Sequence, residues 1–498
     1  SSIKTNYYTW HGGADWQFLP GHQLSVDYLG YLEDWRNTTY SSIRNDDPGG
    51  KLLSFSRSSN DLIEPYYYDG VNLNYKYDID PSGKKITSEL HYDSYRNHSD
   101  VTQITDQYDA AGNFSNNTTF KGHQPGSIRI ISAKSDAVLP LAEFSFRTGL
   151  KFAEVKNDLE QRFDSLHNGS YTEINDMSNH FRYTERIAAA YFIVSKKMNK
   201  TGIDAGLRLE YTKADGYTVK QDTGNRWEYA KLFPSFSMEQ ELDENNKISF
   251  SASRRINRPS YSQLNPIRWY SDPFFYSTGD PKLKPEMAWT VSTAYSLKQK
   301  YIFTISYGYS SNHIMRTLIP DSNGATIKNL AANVGSMQQL DLLASLPVTI
   351  SSFWQLQLTP DVSYMAYPIS QLEGTTTLRK WFGTMSVQQQ LRVPGGIKVD
   401  MTSKYYTEAL RGTYLTKAGF YTDIGMKKTF LKNNLDVVLT ATNIFNSARY
   451  HGISQSNITD YYYDNKLDTR RIAITLHYHV GSDLIKGNNK TTEEQDRL

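Results

Sequence analysis

The chain has 498 residues and a mass of 57.0 kDa, with 38% hydrophobic residues and a mean hydropathy of −0.59, yet 13% of its residues carry aromatic rings, too many for a disordered chain. Its 54 basic and 52 acidic residues leave a formal charge of +2, which draws it bodily neither to nucleic acid nor to an anionic surface, and the absence of cysteine removes disulfides, thiolate metal sites and Cys nucleophiles. The longest apolar run, 187–194, falls far short of the ~18 residues of a membrane helix, so a helical membrane protein is excluded.

Strict two-residue alternation recurs along the chain, the mark of strands with one apolar and one polar face. Val71, Leu73, Tyr75 and Tyr77 interleave with Asn72, Asn74, Lys76 and Asp78; Phe144, Phe146, Leu150 and Phe152 with Ser145, Arg147, Gly149 and Lys151. Further on, Ile203, Ala205, Leu207, Leu209 and Tyr211 alternate with Asp204, Gly206, Arg208 and Glu210, and Tyr301, Phe303, Ile305, Tyr307 and Tyr309 with Thr304, Ser306, Gly308 and Ser310. The pattern returns at 354–359 and finally at Ile472, Ile474, Leu476 and Tyr478 against Thr475, His477 and His479.

Either a water-soluble sandwich or propeller, or a membrane barrel with its apolar face outward, produces such a pattern. Connection lengths separate them. Short connections (19–22, 80–84, 137–140, 198–202, 243–246, 298–300, 351–352, 394–396, 431–434) alternate with long ones (41–69, 105–126, 157–180, 213–225, 259–285, 449–468), as in bacterial barrels with short periplasmic turns and long outer loops. A propeller would repeat every ~40 to 50 residues, and no such period exists. The expected fold is all-β, a transmembrane antiparallel β-barrel over residues 1–480, followed by a charged periplasmic tail, 481–498, that hangs loose. The pattern yields about 19 strands, entering from outside and ending in the periplasm. Because such barrels normally have an even number, the first strands are expected to be missing, or one hairpin to be misread, with 52–64 the weakest region.

The segment 254–286 reads RRINRPSYSQLNPIRWYSDPFFYSTGDPKLKPE, with Arg258, Pro259, Asn265 and Pro266 in its first half and Gly279, Pro281, Leu283, Pro285 and Glu286 in its second. Together with FRYTERIAAAY (181–191), GLRLEYT (206–212), LFPS (232–235) and ATNIFN (441–446), it resembles the TonB-dependent transporters of Gram-negative outer membranes, and most of all the outer-membrane β-barrel branch common in Bacteroidota. The resemblance implies a 22-stranded barrel when complete, closed around an N-terminal plug domain that is not present in this chain. It also implies a location in outer-membrane lipid and coupling to the inner-membrane TonB energy complex through an absent N-terminal region. The implied function is uptake of a bulky nutrient (a glycan, a peptide or a chelated metal), with a surface lipoprotein as a further partner. The alternative is a non-transporting barrel scaffold in an outer-membrane lipoprotein assembly.

Arg147, Lys151, Arg208, Glu210, Lys398 and Asp400 lie on polar faces and are expected to meet the plug. Three aromatic clusters are candidates for ligand contact at the outer mouth: Tyr66, Tyr67 and Tyr68; Trp269, Tyr270, Asp272 and Phe274; and Tyr461, Tyr462 and Tyr463. Their competing reading is interfacial girdle or loop packing, and successive rings in a strand must point both ways. Asp78, Asp80, Ser82, Gly83 and Glu89 fit a Ca²⁺-loop template, but strand flanks favour a tight turn. His477 and His479 share a face without a third ligand, so no metal is expected. Without a nucleophile elbow, a paired-carboxylate signal or a phosphate-cradling loop, neither catalysis nor a cofactor is expected.

Overall fold

The computed structural model describes residues 2–47, 49–272, 275–321, 326–370, 374–431, 434–455, 462–466, 468–479 and 495–497. Six long strands come first: β1 (Ser2–Leu19), β2 (His22–Asp46), β3 (Leu52–Asp78), β4 (Lys85–Asp109), β5 (Phe114–Leu141) and β6 (Phe144–His167). The short β7 (Ser170–Glu173) extends the end of β6, and the wall continues through β8 (Asn179–Met198), β9 (Thr201–Thr218), β10 (Thr223–Glu241) and β11 (Lys247–Asn257). A loop then carries one helical turn, α1 (Tyr261–Leu264), with β12 (Trp269–Asp272) and β13 (Phe275–Thr278). β14 (Glu286–Leu297) and β15 (Tyr301–Ser311) rejoin the wall, β16 (Ile314–Pro320) and β17 (Ile327–Asn333) leave it, and β18 (Ser336–Ser351), β19 (Trp354–Ser370), β20 (Thr375–Val393) and β21 (Ile397–Tyr406) resume it. Of the remainder, β22 (Ala409–Arg411), β23 (Tyr414–Thr416), β26 (Tyr450–Ser454) and β27 (Tyr462–Asn465) lie off the wall, and β24 (Gly419–Phe430), β25 (Leu435–Thr442) and β28 (Arg471–Tyr478) lie in it.

The wall is one 20-stranded sheet in which successive strands pair antiparallel in chain order. Without the four-residue β7 it holds 19 strands, as many as the alternation predicts. The off-wall strands form two four-stranded sheets. β1 pairs only with β2 and β28 only with β25, and among the described residues no ladder joins these two edges.

The alternation has the physical consequence the sequence implies. On β9, Leu207 and Leu209, each 49% exposed, point outward, while Arg208, Glu210 and Thr212 point inward. The outward apolar run from Ile203 to Tyr211 covers nine positions, about what a tilted strand needs to cross hydrocarbon, ~9 to 11 residues. Beyond it the same face turns charged. On β6 and β8, Arg186 pairs with Glu154 at 2.5 Å, Lys156 with Glu154 at 2.9 Å and Arg162 with Asp164 at 3.0 Å.

Four of the expected long loops are strand instead. Among the described residues, segments 41–69, 105–126 and 213–225 are strand apart from turns around Gly49 and Gly50, at 110–113 and at 219–222, and most of 157–180 belongs to β6, β7 and the start of β8. Beyond the apolar band both faces meet water or polar groups, so Ser, Thr and Asn occupy both and the alternation disappears, whereas the backbone ladder continues. The segment 52–64 is likewise regular strand, its Ser58 hydroxyl 2.8 Å from that of Thr105 across the ladder. The Ca²⁺-like segment is a hairpin turn: Asp80 accepts the Ser82 amide at 2.9 Å, Gly83 has φ +93°, and hydrogen bonds from Ser82 and then Lys84 hold the Asp80 carboxyl at about 2.

A cation placed in the middle of the outward band tests this orientation. Leu207→Arg should lower the unfolding free energy in lipid vesicles by about 2–4 kcal/mol, and Asp215→Lys, on the same face beyond the band, by under about 1 kcal/mol, both read from urea titrations of tryptophan fluorescence.

Candidate functional site in the wall interior

The loop after β11 folds inward because its backbone is pinned at both ends of the RPSY…GDPKL segment. Ser260 caps α1, its hydroxyl accepting the Gln263 amide at 3.2 Å while the Gln263 side chain accepts the Ser260 amide at 2.8 Å. The Asn265 side chain accepts the Ile267 amide at 3.1 Å, and the Asn265 and Gln263 carbonyls accept the amides of Gly279 at 2.8 Å and Asp280 at 2.7 Å. A Cβ on Gly279 would lie 2.3 Å from the Gln263 carbonyl oxygen and 2.6 Å from that of Asn265, so this close approach requires glycine. Pro281 and Pro285 bracket Leu283, which with Tyr261, Leu264 and Ala331 packs onto Ile130, Val155, Phe181, Tyr183 and Ala214 of the wall interior. Glu286 closes the motif against His313 at 3.2 Å.

Beneath this plug of apolar side chains lies a buried ionic cluster. Glu185 on β8 and Glu210 on β9 have side chains only 3% and 4% exposed. Glu210 takes Arg208 on one oxygen at 2.8 Å and Arg258 on the other, and Arg258 also donates to Thr212 at 3.0 Å. Burial works against the Arg258 charge, but Glu210, Tyr229 and Glu185 together outweigh it and raise the guanidinium above its ordinary value. Glu185 accepts the Tyr183 hydroxyl at 3.1 Å and has the Arg258 Nε at 3.8 Å.

Of the charges expected to face inward, Arg147 reaches Asp204 at 3.4 Å, Lys151 is buried in the interior, and Lys398 and Asp400 are exposed on the face of β21 that β24 continues with Lys427 and Gly425. His479 lies 3.2 Å from Asp436, which stands opposite His477. Glu185 and Asp93 were not singled out in the sequence, although the parity of Tyr183 and Glu185 within FRYTERIAAAY puts both on one face.

The first aromatic cluster is part of β3, not of a loop, and splits by parity. Tyr68 is buried inside, donates to Asp93 at 2.8 Å, and belongs to a ladder of rings across four strands: Tyr7–Tyr31 at 5.6 Å, Tyr31–Tyr68 at 5.0 Å and Tyr68–Tyr95 at 4.6 Å. Tyr66 shares that face. Tyr67 points outward, 6.0 Å beneath the Arg96 guanidinium, whose partner Asp69 is bonded to Tyr28 next to Trp10, so this side carries a cluster of rings and charges. In the second cluster Trp269 is half-buried, and Tyr270 packs on Tyr276 at 5.1 Å and edge-on to Phe163 at 6.4 Å; the Asp272 side chain and Phe274 lie outside the described residues. In the third, Tyr462 is exposed, Tyr463 packs edge-on to Tyr414 at 5.3 Å, and Tyr461 lies outside the described residues.

Near the second cluster a polar cavity of about 920 Å³ opens between loops, lined among others by Gln161, Lys220, Pro266, Arg268, Tyr276 and Lys328. Arg268 lies 5.0 Å over the Tyr276 ring, and Tyr276 donates to Asp321 at 2.8 Å. Burial, and then that hydrogen bond, push the Tyr276 hydroxyl above the usual phenol range.

Residues 77–478 match the outer membrane protein beta-barrel family. The chain belongs to that family. Its wall is therefore read as an outer-membrane barrel wall, with the apolar band in lipid. No curated protein matches it in sequence. Among solved structures it is similar to the ferric-catecholate import receptor Fiu of E. coli K12 (TM-score 0.58, 10% identity, 96% of this chain and 81% of that one). It is also similar to the siderophore receptor PiuA of Acinetobacter baumannii (0.55, 11%, 96% and 81%) and to BauA, the ferric preacinetobactin receptor of the same species (0.53, 9%, 96% and 79%). At such identities the likeness is one of fold.

Two substitutions test how this family motif holds the loop. Gly279→Ala should cost about 1–3 kcal/mol through backbone overpacking and open 259–285 to limited proteolysis. Arg258→Ala leaves Glu210 with a buried, unpaired oxygen and should cost about 3–5 kcal/mol. The exposed pair Arg36–Asp34, 3.2 Å apart, is the control, with Arg36→Ala costing under about 1 kcal/mol in the same denaturation series.

Proposed function

We propose that this wall is the barrel and outer vestibule of a TonB-dependent transporter that takes up a bulky nutrient, a chelated metal, a glycan or a peptide. The observation that carries the reading is the polarity of the interior face. Asn72 Oδ1, Asn74 Oδ1, Gln103 Nε2 and Gln124 Oε1 are buried there without a partner among the described residues, and such atoms call for a second polar surface inside the wall. A plug held by these groups and by Arg147, Lys151, Arg208, Glu210, Lys398 and Asp400 would supply it, and the TonB complex would act through that plug. The unpaired edges of β1 and β28, with Ile472 79% exposed, support closure of the wall by further strands, residues 1–480 then being most of the barrel.

The polar cavity at Gln161, Arg268 and Tyr276 is the proposed first contact for the nutrient, with Trp269 and Tyr270 beside it. A ring carrying a cation on one face, with Lys328 and Lys220 on the cavity lining, suits a polar ligand with acceptor oxygens. Binding and release are non-covalent, and no bond-making group is required. A surface lipoprotein capping this mouth is a compatible partner.

Growth of a strain lacking the gene tests the reading, on chelated iron, on a glycan panel and on a peptide panel as limiting nutrients. One of the three should be lost, should return with the wild-type gene only when TonB is present, and should fall about tenfold with Arg268→Ala/Tyr276→Ala, a ~1.4 kcal/mol effect. Unchanged growth on all three, together with stable co-purification of lipoproteins, would replace transport by a scaffold role.

A further inference from the structure

The charged tail, expected to hang free, includes a 3₁₀ turn, Gln495–Arg497, whose two described side chains touch the wall interior at two separate places. The Gln495 amide donates to Asp93 at 2.9 Å and to the Tyr68 hydroxyl at 3.3 Å, on the tyrosine ladder. The Arg497 guanidinium donates to the Pro259 carbonyl at 3.1 and 3.3 Å, pairs with Glu185, and lies 4.6 Å over the Tyr261 ring. Its side chain is 12% exposed.

The distribution of donors around the buried carboxylates explains why a guanidinium belongs there. Both oxygens of Glu210 are taken, by Arg208 of the wall and by Arg258 at the start of the inward-folded loop. Glu185 Oε1 takes the Tyr183 hydroxyl, and Glu185 Oε2 has no donor from the wall among the described residues. That oxygen, a backbone carbonyl and the face of Tyr261 converge on one small volume. Two acceptors and a π face, with several N–H groups needed in one plane, fit a guanidinium better than an ammonium.

We propose that this is a guanidinium-binding site of the barrel interior and that its occupant is the chain's own Arg497, with Gln495 fixing the register on Asp93. The reach is sufficient. Glu210 lies nine residues from the β9 turn end, about 30 Å of strand at ~3.3 Å per residue. The 17 residues from Tyr478 to Gln495 span up to about 56–61 Å at ~3.3–3.6 Å each. Docked there, Arg497 ties the periplasmic end of the chain to Pro259 and Tyr261, the start of the inward-folded outer loop. The tail is then a tethered ligand that shares the interior with whatever else enters the barrel.

Because the chain has no cysteine, the test can be made on the full protein in outer membrane with introduced pairs. Gln495→Cys/Asp93→Cys should be linked by a short bismaleimide, whereas Gln495→Cys/Thr87→Cys, six residues nearer the turn on the same strand face, should not. Adding Arg497→Ala, which leaves every wall contact in place, should reduce the first link about tenfold, and Arg497→Lys should restore only part of it. Equal linking of the two pairs, no link, or a link indifferent to Arg497→Ala would overturn the proposal. Nutrient uptake measured on the same strains separates this from the transport reading: uptake that persists without the link removes the tail as ligand and leaves the transporter standing.

Discussion

In hydrocarbon, a backbone N–H or C=O without a partner costs several kcal/mol, and this one requirement organises the molecule. Pairing each wall strand with its neighbours in sequence satisfies the backbone between β1 and β28 with no contribution from side chains. Side chains are then released to serve two different media. Outward positions such as Leu207 and Leu209 meet lipid, and inward positions such as Arg208 and Glu210 never need to. Charge is affordable inside only because the interior supplies counter-charge, as Arg258 does for Glu210.

The same logic explains how far the sequence could be read. Where one face meets lipid and the other does not, parity is visible, and the strands around Leu73, Phe152, Leu207 and Ile305 lie where their alternation puts them. Beyond the band both faces become polar, and Ser56, Ser58, Thr105 and Gln124 leave no alternating trace although they are buried in a continuous ladder. The tyrosine triplet was legible only as a pair of directions. That Tyr68 joins a ring ladder while Tyr67 joins an outward cluster of rings and charges depends on Tyr31, Tyr95, Tyr28 and Arg96, each on another strand. The Glu185–Arg497 contact spans 312 positions of sequence, and no local pattern announces it.

Strand length differs sharply around the wall, and the site follows from that difference. β2 to β6 have 24–28 residues, two to three times a membrane crossing, whereas β11, β14, β15, β24, β25 and β28 have 8–12. On the short side the chain leaves the ladder near the lipid surface, and its backbone groups must find new partners, which they do in the two small sheets, β12-β13-β17-β16 and β22-β23-β26-β27. On the tall side the ladder simply continues, so no large loop is needed and the interior face remains bare.

A bare tall face opposite a set of compact loops leaves apolar surface uncovered on both, and covering it requires the loops to lean across the mouth. Tyr261, Leu264 and Leu283 come from the short side, and Ile130 and Val155, against which they pack, from the tall side. The polar contacts bridge the same gap: Gln161 on β6 donates to the Arg268 carbonyl at 2.8 Å, and Phe163 meets Tyr270 edge-on. The polar cavity, lined by Pro266 and Arg268, and the buried carboxylates, met by Arg258, therefore lie along one loop segment whose Tyr261 and Leu264 form the apolar seam. One short stretch of chain thus serves both: Arg258 holds the Glu210 carboxylate at its start, and Pro266 and Arg268 line the cavity at its end, with the Arg268 carbonyl tied back to Gln161 of the wall.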